Sequence, residues 1–434
     1  MPTAPLLDPA YLPLSRRGSY LAVGHVWPGH VNGQEGPPGV YLRTLHGFSL
    51  QGTPRCALRF TPVLDGKDIP EANIKLALTP STFSQLIDDR RRIDFNFSAN
   101  QTLRVRGTGG LSLRIDAAAG SYNYARAAGP GLWELNLVTH KLQLMLRLRR
   151  GAATLDSPWG EYASSHIIAH LEPDASGTWE IELHEFVAGW KPTDDPRDFA
   201  ACACATDAEF SAWRDRLPAV APAHKRTRDL TAYVMWSCLV APCGHLRRET
   251  MYMSNNRMPA VWAWDHCFNA LALAPAHPAL AWDQWAVIFD FQTPAGSIPD
   301  VASDADFITN FVKPPIHGWA LRELRRHVRL TPAQKRHALA VLGRWTRWWL
   351  DYRDDDHDGL PQYNHGNDSG WDNATVFAHG TPVEGPDLAA FLILQMDECA
   401  RLADELGRPA AARRWRSDAD ALLARLLAHS WRGD

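Results

Sequence analysis

The sequence predicts a chain in two parts, an antiparallel β-sandwich followed by a domain of helical hairpins. Three observations support this prediction. Apolar and polar residues alternate over roughly the first 190 residues, apolar residues recur at helical spacing from about residue 226, and a proline-rich stretch lies between. The expected division is therefore 1–190 for the sandwich, 191–225 for a linker with a short helix, and 226–434 for the helical domain.

The strand predictions depend on short runs in which every second residue is apolar. In the clearest run, 142–149, four leucines alternate with glutamine, methionine and two arginines. Similar runs begin at Leu103, Leu111 and Trp179, and turn sequences such as 107–110 separate them. Many short alternating strands with few helical stretches are typical of an antiparallel sandwich.

The helix predictions depend on end signals and on apolar spacing. Thr331 and Gln334 form a capping-box sequence, with Pro332 at the first helical position. Further helices are expected after Gly385 and after Pro409. In the helix that begins at Pro332, the apolar residues expected on one face are Leu339, Leu342, Trp345 and Trp349.

Charge and cysteine content exclude several classes of protein. Lysine plus arginine total 45 against 48 acidic residues, so the net charge is −3. This balance argues against a basic surface that binds nucleic acid or an anionic membrane. No apolar run has the ~20 residues of a membrane-spanning helix, and the N-terminus lacks a signal-peptide pattern. Seven scattered cysteines without zinc spacing indicate reduced thiols, so we expect a cytoplasmic protein without a metal or cofactor.

The 18 tryptophans are unusually many, and several lie beside carboxylates in loops of the helical half. Trp262 and Trp264 precede Asp265 at an expected helix start. An indole can stack on a pyranose ring, and a carboxylate can accept two hydroxyl hydrogen bonds. The alternative is an N-cap aspartate between core tryptophans, and the residues alone leave this open.

The segment 366–373 contains two aspartates, two asparagines and a tryptophan. Glycosidic bond hydrolysis needs a protonated carboxyl and a second carboxylate, and burial beside a tryptophan can raise a carboxyl pKa. The alternative is a polar loop of Asx-turns. Gln292, Lys313 and Trp319 could line the same cleft, or the proline and glycine residues around them only shape a loop.

An acidic run resembles the start of a calcium-binding loop. Asp354, Asp356 and Asp358 precede Gly359, as in an EF-hand. The twelfth position from Asp354 is His365, where that geometry requires a bidentate glutamate. We therefore expect a solvated loop at this position.

Four ordered blocks between about residues 250 and 400 together resemble glycoside hydrolase family 63. They are Trp264-Asp265-x-x-Phe268, Gln292 to Pro299, Lys313-Pro314-Pro315 to Trp319, and Asp358 to Asn373. The resemblance implies an (α/α)6 barrel, often behind a β-sandwich, and hydrolysis of α-linked glucosides or related sugars with inversion.

The resemblance also implies roles for individual residues. Asp372 corresponds to the general acid, and Asp265 holds sugar hydroxyls. Asp368 stands where relatives more often have glutamate, and its shorter side chain implies altered contacts to sugar hydroxyls without an effect on proton delivery. The other residues expected at the substrate are Trp262, Trp264, Gln292, Lys313, Trp319, Asn367, Gly370, Trp371 and Asn373.

The general base of the family lies late in the barrel, and we expect it beyond Asp434. Residues 226–434 supply about seven of twelve helices, so we expect exposed apolar faces around Leu422 to Leu427 and around Trp345 and Trp349. We also expect the 434 residues alone to lack glycosidase activity. If they are active, Glu384 is the first alternative base, and Glu398 is another.

Two alternatives to an inverting α-glycosidase remain. One is a carbohydrate-binding or regulatory protein that keeps the acid loop without the base. The other is a different (α/α)6 enzyme, such as an epimerase or a phosphorolytic enzyme, which would not explain the block from Ser369 to Asn373. Turnover of a chromogenic α-glucoside would distinguish an enzyme from a carbohydrate-binding protein. The anomer of the product would distinguish inversion from retention or phosphorolysis.

Overall fold

The structure, a computed structural model, describes residues 6–26, 37–47, 55–118, 120–193, 195–255 and 258–433. The chain divides into two compact units. Unit 1 consists of Met1–Ala241 with Ser254–Pro259, and unit 2 of Pro242–Met253 with Ala260–Asp434. Residues 226–241, which we expected in the helical domain, thus belong to unit 1. Across the described ranges, no helix combines the length and the apolar content that crossing a membrane requires.

Unit 1 is built from antiparallel strands. In chain order they are β1 (Leu21–Val26), β2 (Gly39–Thr44), β3 (Cys56–Leu64), β4 (Lys67–Asp68), β5 (Lys75–Leu78), β6 (Phe83–Leu86), β7 (Arg92–Ala99), β8 (Thr102–Thr108), β9 (Ser112–Ala117), β10 (Tyr124–Gly129), β11 (Leu132–Leu137), β12 (Leu142–Arg150), β13 (Ala152–Asp156), β14 (Ile168–Glu172), β15 (Trp179–Glu185) and β16 (Leu239–Val240). One sheet has the order β1-β2-β3-β9-β14-β13, with β4 beside β3. The other has the order β10-β11-β12-β15-β8-β7-β6-β5.

Aromatic and aliphatic side chains fill the space between the two sheets. Phe60 of β3 and Phe95 of β7 meet edge to face, with ring centroids 4.9 Å apart. Leu142, Leu144 and Leu146 of β12 are all at most 2% exposed. The period-two pattern therefore identified inward-facing positions correctly, because alternate side chains of a strand point to opposite faces.

The outer face of the second sheet is covered by the segment that leads into helix α1 (Phe199–Arg214). Arg104 of β8 is fully buried and donates to Glu182 of β15 and to the backbone oxygens of Asp195 and Arg197. The expected linker thus carries a 16-residue helix and covers part of the sandwich. A second helix of unit 1 is α2 (Lys225–Ser237).

Unit 2 is mainly helical. Its helices are α3 (Asp265–Leu273), α4 (Pro278–Ala286), α5 (His317–Leu324), α6 (Pro332–Tyr352), α7 (Pro386–Glu405) and α8 (Pro409–Ser430). Its short strands are β17 (Thr250–Met251), β18 (Val261–Trp262), β19 (Val301–Ala302) and β20 (Phe307–Ile308). Helix α3 packs on α4 and α5, and α7 packs on α5, α6 and α8. The predicted class, antiparallel sheets followed by a helical domain, is confirmed.

The end signals of the long helices are confirmed in detail. Thr331 accepts a hydrogen bond from the backbone N–H of Gln334, whose side chain accepts one from the Thr331 backbone in return. Gly407 follows α7 with a φ of +69°, the left-handed geometry of a helix C-terminus.

The exposed apolar faces expected on the long helices are only partly present. Leu423 and Leu427 of α8 are 41% and 50% exposed. Trp345 and Trp349 of α6 are fully buried, so the expectation of exposure was wrong for them. The side of α6 that carries these tryptophans is covered within unit 2, where α7 packs on α6 and Tyr363 meets the Trp349 ring.

Candidate active site

A buried lysine lies at the centre of the candidate site. Lys313 is 4% exposed, and its Nζ donates to the backbone oxygen and to Oδ1 of Asn367, each at 2.8 Å. Nζ also lies 3.6 Å from Oδ1 of Asp300 and 3.6 Å from Oδ1 of Asp372. One ammonium group, which has three N–H donors, thus connects three loops of unit 2.

A small antiparallel sheet positions Asp300. The order β18-β19-β20 puts Asp300 just before β19, where its backbone accepts from Ala263 at 2.9 Å and donates to Ile308 at 3.0 Å. Its Oδ2 accepts from Nδ2 of Asn367 at 2.8 Å. Because Ala263 immediately precedes Trp264 and Asp265, the same sheet ties Asp300 to the start of α3.

Two carboxyl groups near Lys313 have pKa values above their ordinary values. Burial raises the pKa of Asp300 above its ordinary value, and the Lys313 ammonium and the Asn367 amide oppose this rise. Burial also raises the pKa of Asp265, against the opposing effects of its own backbone N–H and of Lys313. The charge of Asp372 raises both pKa values further. Such clustered, shifted carboxyls are a feature of catalytic sites.

Asp265 is the first residue of α3 and does not act as its cap. The N-cap position belongs to Trp264, and no side chain accepts a capping hydrogen bond there. The Asp265 carboxylate instead interacts with its own N–H and lies within the electric field of Lys313 and Asp372. The helix-cap interpretation of the sequence therefore has no support, and this carboxyl is available for a ligand.

The loop that carries Asp372 packs directly on Trp264. Gly370 has a φ of +71°, and a Cβ atom there would lie 2.4 Å from Cζ2 of the Trp264 indole. Only glycine fits this backbone geometry and this distance. Beyond the contact the loop turns outward, since Trp371 is 64% exposed, the Asp372 side chain is 60% exposed, and Asn373 is also exposed.

Aromatic rings extend from this contact. The Trp264 ring lies 6.3 Å from Phe268, which lies 6.0 Å from Trp319 of α5. Phe268 is 49% exposed, whereas Trp264 and Trp319 are partly buried. Trp262 is partly buried in β18, where its backbone N–H donates to His266 Nδ1. Partly exposed ring faces of this kind can stack on a sugar ring.

Asp368, expected at the substrate, is an internal residue instead. It is 1% exposed, and its Oδ1 accepts from the backbone N–H of Val312 at 3.0 Å. Its Oδ2 accepts from Arg353 at 3.2 Å, and the Arg353 guanidinium lies over the Trp348 ring at 5.0 Å. Because both oxygens are used and buried, the structure gives Asp368 an internal role, and its expected contact with sugar stays a prediction.

Gln292 is also occupied elsewhere. Its Nε2 donates to the backbone oxygens of Gly296 and Val341, and its Oε1 accepts from Arg344. These contacts fasten the loop before β19 to helix α6. These contacts favour the structural alternative for Gln292, and its expected place at the substrate stays a prediction.

Sequence reasoning missed Asp300. The sequence did contain an indication of this residue, because Asp300 directly follows Ile298-Pro299, the end of a motif block. The residue lies in a loop without any periodicity, so only the fold shows that its carboxylate reaches Lys313.

The two alternative bases are engaged away from the lysine cluster. Glu398 of α7 is 1% exposed and pairs with Arg325. Glu384 pairs with His429 at 3.2 Å, and burial together with the charges of Asp358 and Asp356 raises its pKa. We therefore assign neither residue as the base.

The acidic run is one group of side chains that could hold a metal ion. Carboxylate oxygens of Asp354, Asp356 and Asp358 lie within 4.8 Å of one another, and the last two residues are exposed. Two of these carboxylates already accept from loop amides, those of Gly359 and Leu360. The expectation of a solvated loop without an ion stays a prediction.

Known proteins resemble this chain mainly in its second half. Residues 258–434 match the mannosylglycerate hydrolase MGH1-like glycoside hydrolase domain. A glucosylglycerate hydrolase of Mycolicibacterium hassiacum is 26% identical over 30% of this chain and 37% of that protein. The chain thus spans a little over a third of the length of this curated relative.

Among solved structures, a bacterial glucoamylase bound to acarbose matches 97% of this chain and 68% of its own, with a TM-score of 0.51 and 12% identity. This likeness concerns the fold. A family 63 mannosylglycerate hydrolase from Thermus thermophilus, bound to glucose, matches 44% of this chain and 63% of its own at 17% identity, with a TM-score of 0.36.

The resemblance that the ordered sequence blocks indicated is confirmed by the match of residues 258–434. Residues 258–434 are therefore similar to glycoside hydrolases of the family 63 type, as represented by the mannosylglycerate hydrolase MGH1-like domain.

Proposed function

We propose that the protein hydrolyses an α-linked glucoside or a closely related glycoside with inversion, and that Asp372 is its general acid. The observation that carries the proposal is the cluster around Lys313. It connects the Asp300 loop and the Asp372 loop through one buried ammonium, beside the Asp265 carboxyl. Residues from separate motif blocks thus meet at one place in unit 2.

In the proposed reaction, Asp372 donates its proton to the leaving glycosidic oxygen. Its exposed carboxyl is accessible to a substrate, as proton delivery requires. A water molecule, activated by a second carboxylate, attacks the anomeric carbon from the opposite face of the sugar. We assign that second carboxylate to none of the described residues.

Asp265 and the neighbouring rings would bind the sugar. The partly buried Asp265 carboxylate can accept hydrogen bonds from two adjacent hydroxyl groups. Trp264 and Phe268, whose rings are in contact, can cover the apolar face of the same pyranose. Together these groups would orient the glycosidic bond toward Asp372.

Lys313 would hold the acid loop in place. It fixes Asn367 through two hydrogen bonds and attracts the Asp372 carboxylate from 3.6 Å. Asp300 provides a buried counter-charge on the other side of the ammonium. This arrangement limits how far the acid can move from the bond to be cleaved.

The relatives suggest the first substrates to test. One is a glucosylglycerate hydrolase and the family model describes a mannosylglycerate hydrolase. We therefore place glucosylglycerate first, then mannosylglycerate, and then a nitrophenyl α-glucoside that needs little help from an acid.

Real-time NMR of the sugar product tests the proposal. The protein, expressed from its whole natural reading frame, should release β-glucose first from an α-glucoside, with the α-anomer appearing only by mutarotation. Initial release of the α-anomer would contradict inversion. Sugar binding without any turnover would favour the carbohydrate-binding alternative.

A further inference from the structure

Four aromatic residues lie together on the surface of unit 1, outside the site described above. Trp159 is 65% exposed, Tyr122 62% and Tyr162 57%. The rings of Tyr122 and Tyr162 lie 5.7 Å apart, and those of Tyr124 and Trp159 6.3 Å apart. We call Tyr122, Tyr124, Trp159 and Tyr162 the aromatic platform.

Two loops carry the platform, and hydrogen bonds hold them together. The turn between β13 and β14 closes through the Trp159–Ser164 bridge and a hydrogen bond from Gly160 N–H to Ala163. Ser164 N–H donates to the backbone oxygen of Asn123, and Ala125 N–H donates to Ser157 Oγ. These hydrogen bonds therefore hold the backbone that carries the four rings in a defined arrangement.

Asn123 anchors the second loop from inside. It is 1% exposed, and its Nδ2 donates to the Ala118 backbone and to Thr139 Oγ1. Tyr122 and Tyr124, its two neighbours in the chain, are exposed and partly buried, respectively. Tyr122 has a φ of +65°, an unusual conformation for a bulky residue that the anchored loop maintains.

Polar groups surround the rings. The Tyr124 hydroxyl donates to Glu134 at 3.2 Å and accepts from Asn136 at 3.4 Å. The hydroxyls of Ser157 and Ser164 lie 2.7 Å apart. A surface of ring faces with hydroxyl, amide and carboxylate groups at its margin fits the alternating C–H and O–H groups of a sugar chain.

Charge and area decide between possible occupants. The nearby cation Arg126 pairs with Glu134, and His166 pairs with Asp156. The turn between β13 and β14 also carries the exposed carboxylate of Glu161. The charges near the rings therefore offer no excess of cations to an anion, which favours a neutral ligand. At 150–250 Å² per aromatic side chain, the exposed rings offer on the order of 500 Å², which is less than the ~800 Å² per partner of a stable protein interface.

From this geometry we propose that the aromatic platform is a second carbohydrate-binding site that holds a neutral oligosaccharide or polysaccharide by stacking on Trp159 and Tyr162. It is a site of unit 1 and is separate from the proposed chemistry at Asp372. Its function would be to bind a glycan chain without cleaving it.

Native electrophoresis of the 434-residue chain, in gels with and without dissolved glycogen or galactomannan, tests this proposal. We expect slower migration in at least one of the two polysaccharides. Trp159→Ala and Tyr162→Ala should each weaken that binding by roughly 3- to 10-fold, the worth of one ring contact. Tyr11→Ala is the matched control, since Tyr11 is a 76% exposed tyrosine of unit 1 outside the platform.

Three further measurements keep the test specific. Thermal midpoints of the platform variants should equal that of the wild type, because the truncated rings are exposed. Asp372→Asn should bind polysaccharide like the wild type, so that failure of the proposed hydrolysis and failure of the platform are distinguishable. Sedimentation of the wild type and Trp159→Ala should show the same oligomeric state.

The proposal is overturned if neither polysaccharide slows migration, or if the platform variants migrate like the wild type. It is also overturned if Trp159→Ala dissociates an oligomer without changing polysaccharide binding, since the platform would then join copies of the chain.

Discussion

Each unit contains a buried cation surrounded by carboxylates, and the two clusters differ in one respect. In unit 1, Arg104 is fully buried and its guanidinium bonds to Glu182 and to two backbone oxygens. In unit 2, Lys313 is 4% exposed, but one of its carboxylate neighbours, Asp372, is 60% exposed on its side chain. The first cluster is closed by protein, whereas the second ends at solvent.

The pKa directions differ between individual carboxyls of the two clusters. Burial opposes the ionisation of Glu182, but the hydrogen bond from His184 and the charge of Arg149 hold its pKa below the ordinary value. Burial raises the pKa of Asp300 in spite of Lys313. Glu180, another carboxyl beside Arg104, has a raised pKa because burial outweighs the charges of Arg104 and Arg149. The lowered pKa therefore distinguishes Glu182 itself, and not its whole cluster, from Asp300.

The largest expected effect concerns the exposed end of the lysine cluster. Asp372→Asn should reduce hydrolysis of an unactivated glycoside by about 10²- to 10⁴-fold, because the amide has no proton to donate. Calorimetric sugar binding should change little. Asp420→Asn, an exposed aspartate of α8, is the matched control. Wild-type turnover by Asp372→Asn on a natural disaccharide would exclude this residue as the acid.

The next effect compares the two cations. Lys313→Met and Arg104→Met should each lower the free energy of unfolding of their own unit by about 3–5 kcal/mol, because each leaves a buried carboxylate without its partner. Only Lys313→Met should also lower kcat in folded protein at low temperature. Denaturant titration and steady-state kinetics measure the two effects. Adding Asp300→Asn to Lys313→Met should restore part of the lost stability. A double variant that is no more stable than Lys313→Met would argue against the pairing of Lys313 with Asp300.

A smaller effect is expected at the start of α3. Asp265→Ala should weaken sugar binding by roughly 10- to 150-fold, the 1.5–3 kcal/mol of a charged hydrogen-bond partner. Stability should change little, since Asp265 caps no helix. Calorimetry with glucose and a thermal melt measure the two quantities. A lower melting temperature with unchanged affinity would restore the cap interpretation.

The smallest effect is a difference in pH dependence. The raised pKa of Asp300 means that its contribution to stability is greatest below its ordinary pKa of 3.8 and is lost as pH rises through the folded-state pKa. The lowered pKa of Glu182 means that its contribution is present above 4.5 and is lost as pH falls through the folded-state pKa.

Thermal melts between about pH 3 and 7 measure this difference. Relative to the wild type, Asp300→Asn should become more stable as pH rises, and Glu182→Gln should become less stable. Parallel curves for the two variants would show that Asp300 and Glu182 do not differ in the way described.

Much of the fold was predictable because it follows from local periodicity. Alternating leucines identified β12, and Thr331 with Gln334 marked the start of α6. Periodicity cannot show what covers a face, however. Arg104 alternates with apolar residues of β8, and the chain segment before α1, distant in sequence, buries it.

The candidate site was predictable where a motif named a residue and not where orientation decided. Asp372 and Asp265 come from motif blocks and lie near Lys313. Asp368 belongs to the same block as Asp372, yet its side chain points inward to Arg353. Side chains that are close in sequence within a loop can point in opposite directions. A pattern of residue types does not show which side chain points inward and which points to solvent.

The contact between Gly370 and Trp264 has a consequence for redesign of the protein. The backbone of Gly370 packs so closely on the Trp264 indole that a Cβ atom at position 370 would lie 2.4 Å from Cζ2 of the ring. A smaller side chain at position 264, chosen to admit a bulkier sugar, would also let the loop sink and carry Asp372 with it. Substrate choice and acid placement are therefore coupled, and position 370 has to be varied together with position 264.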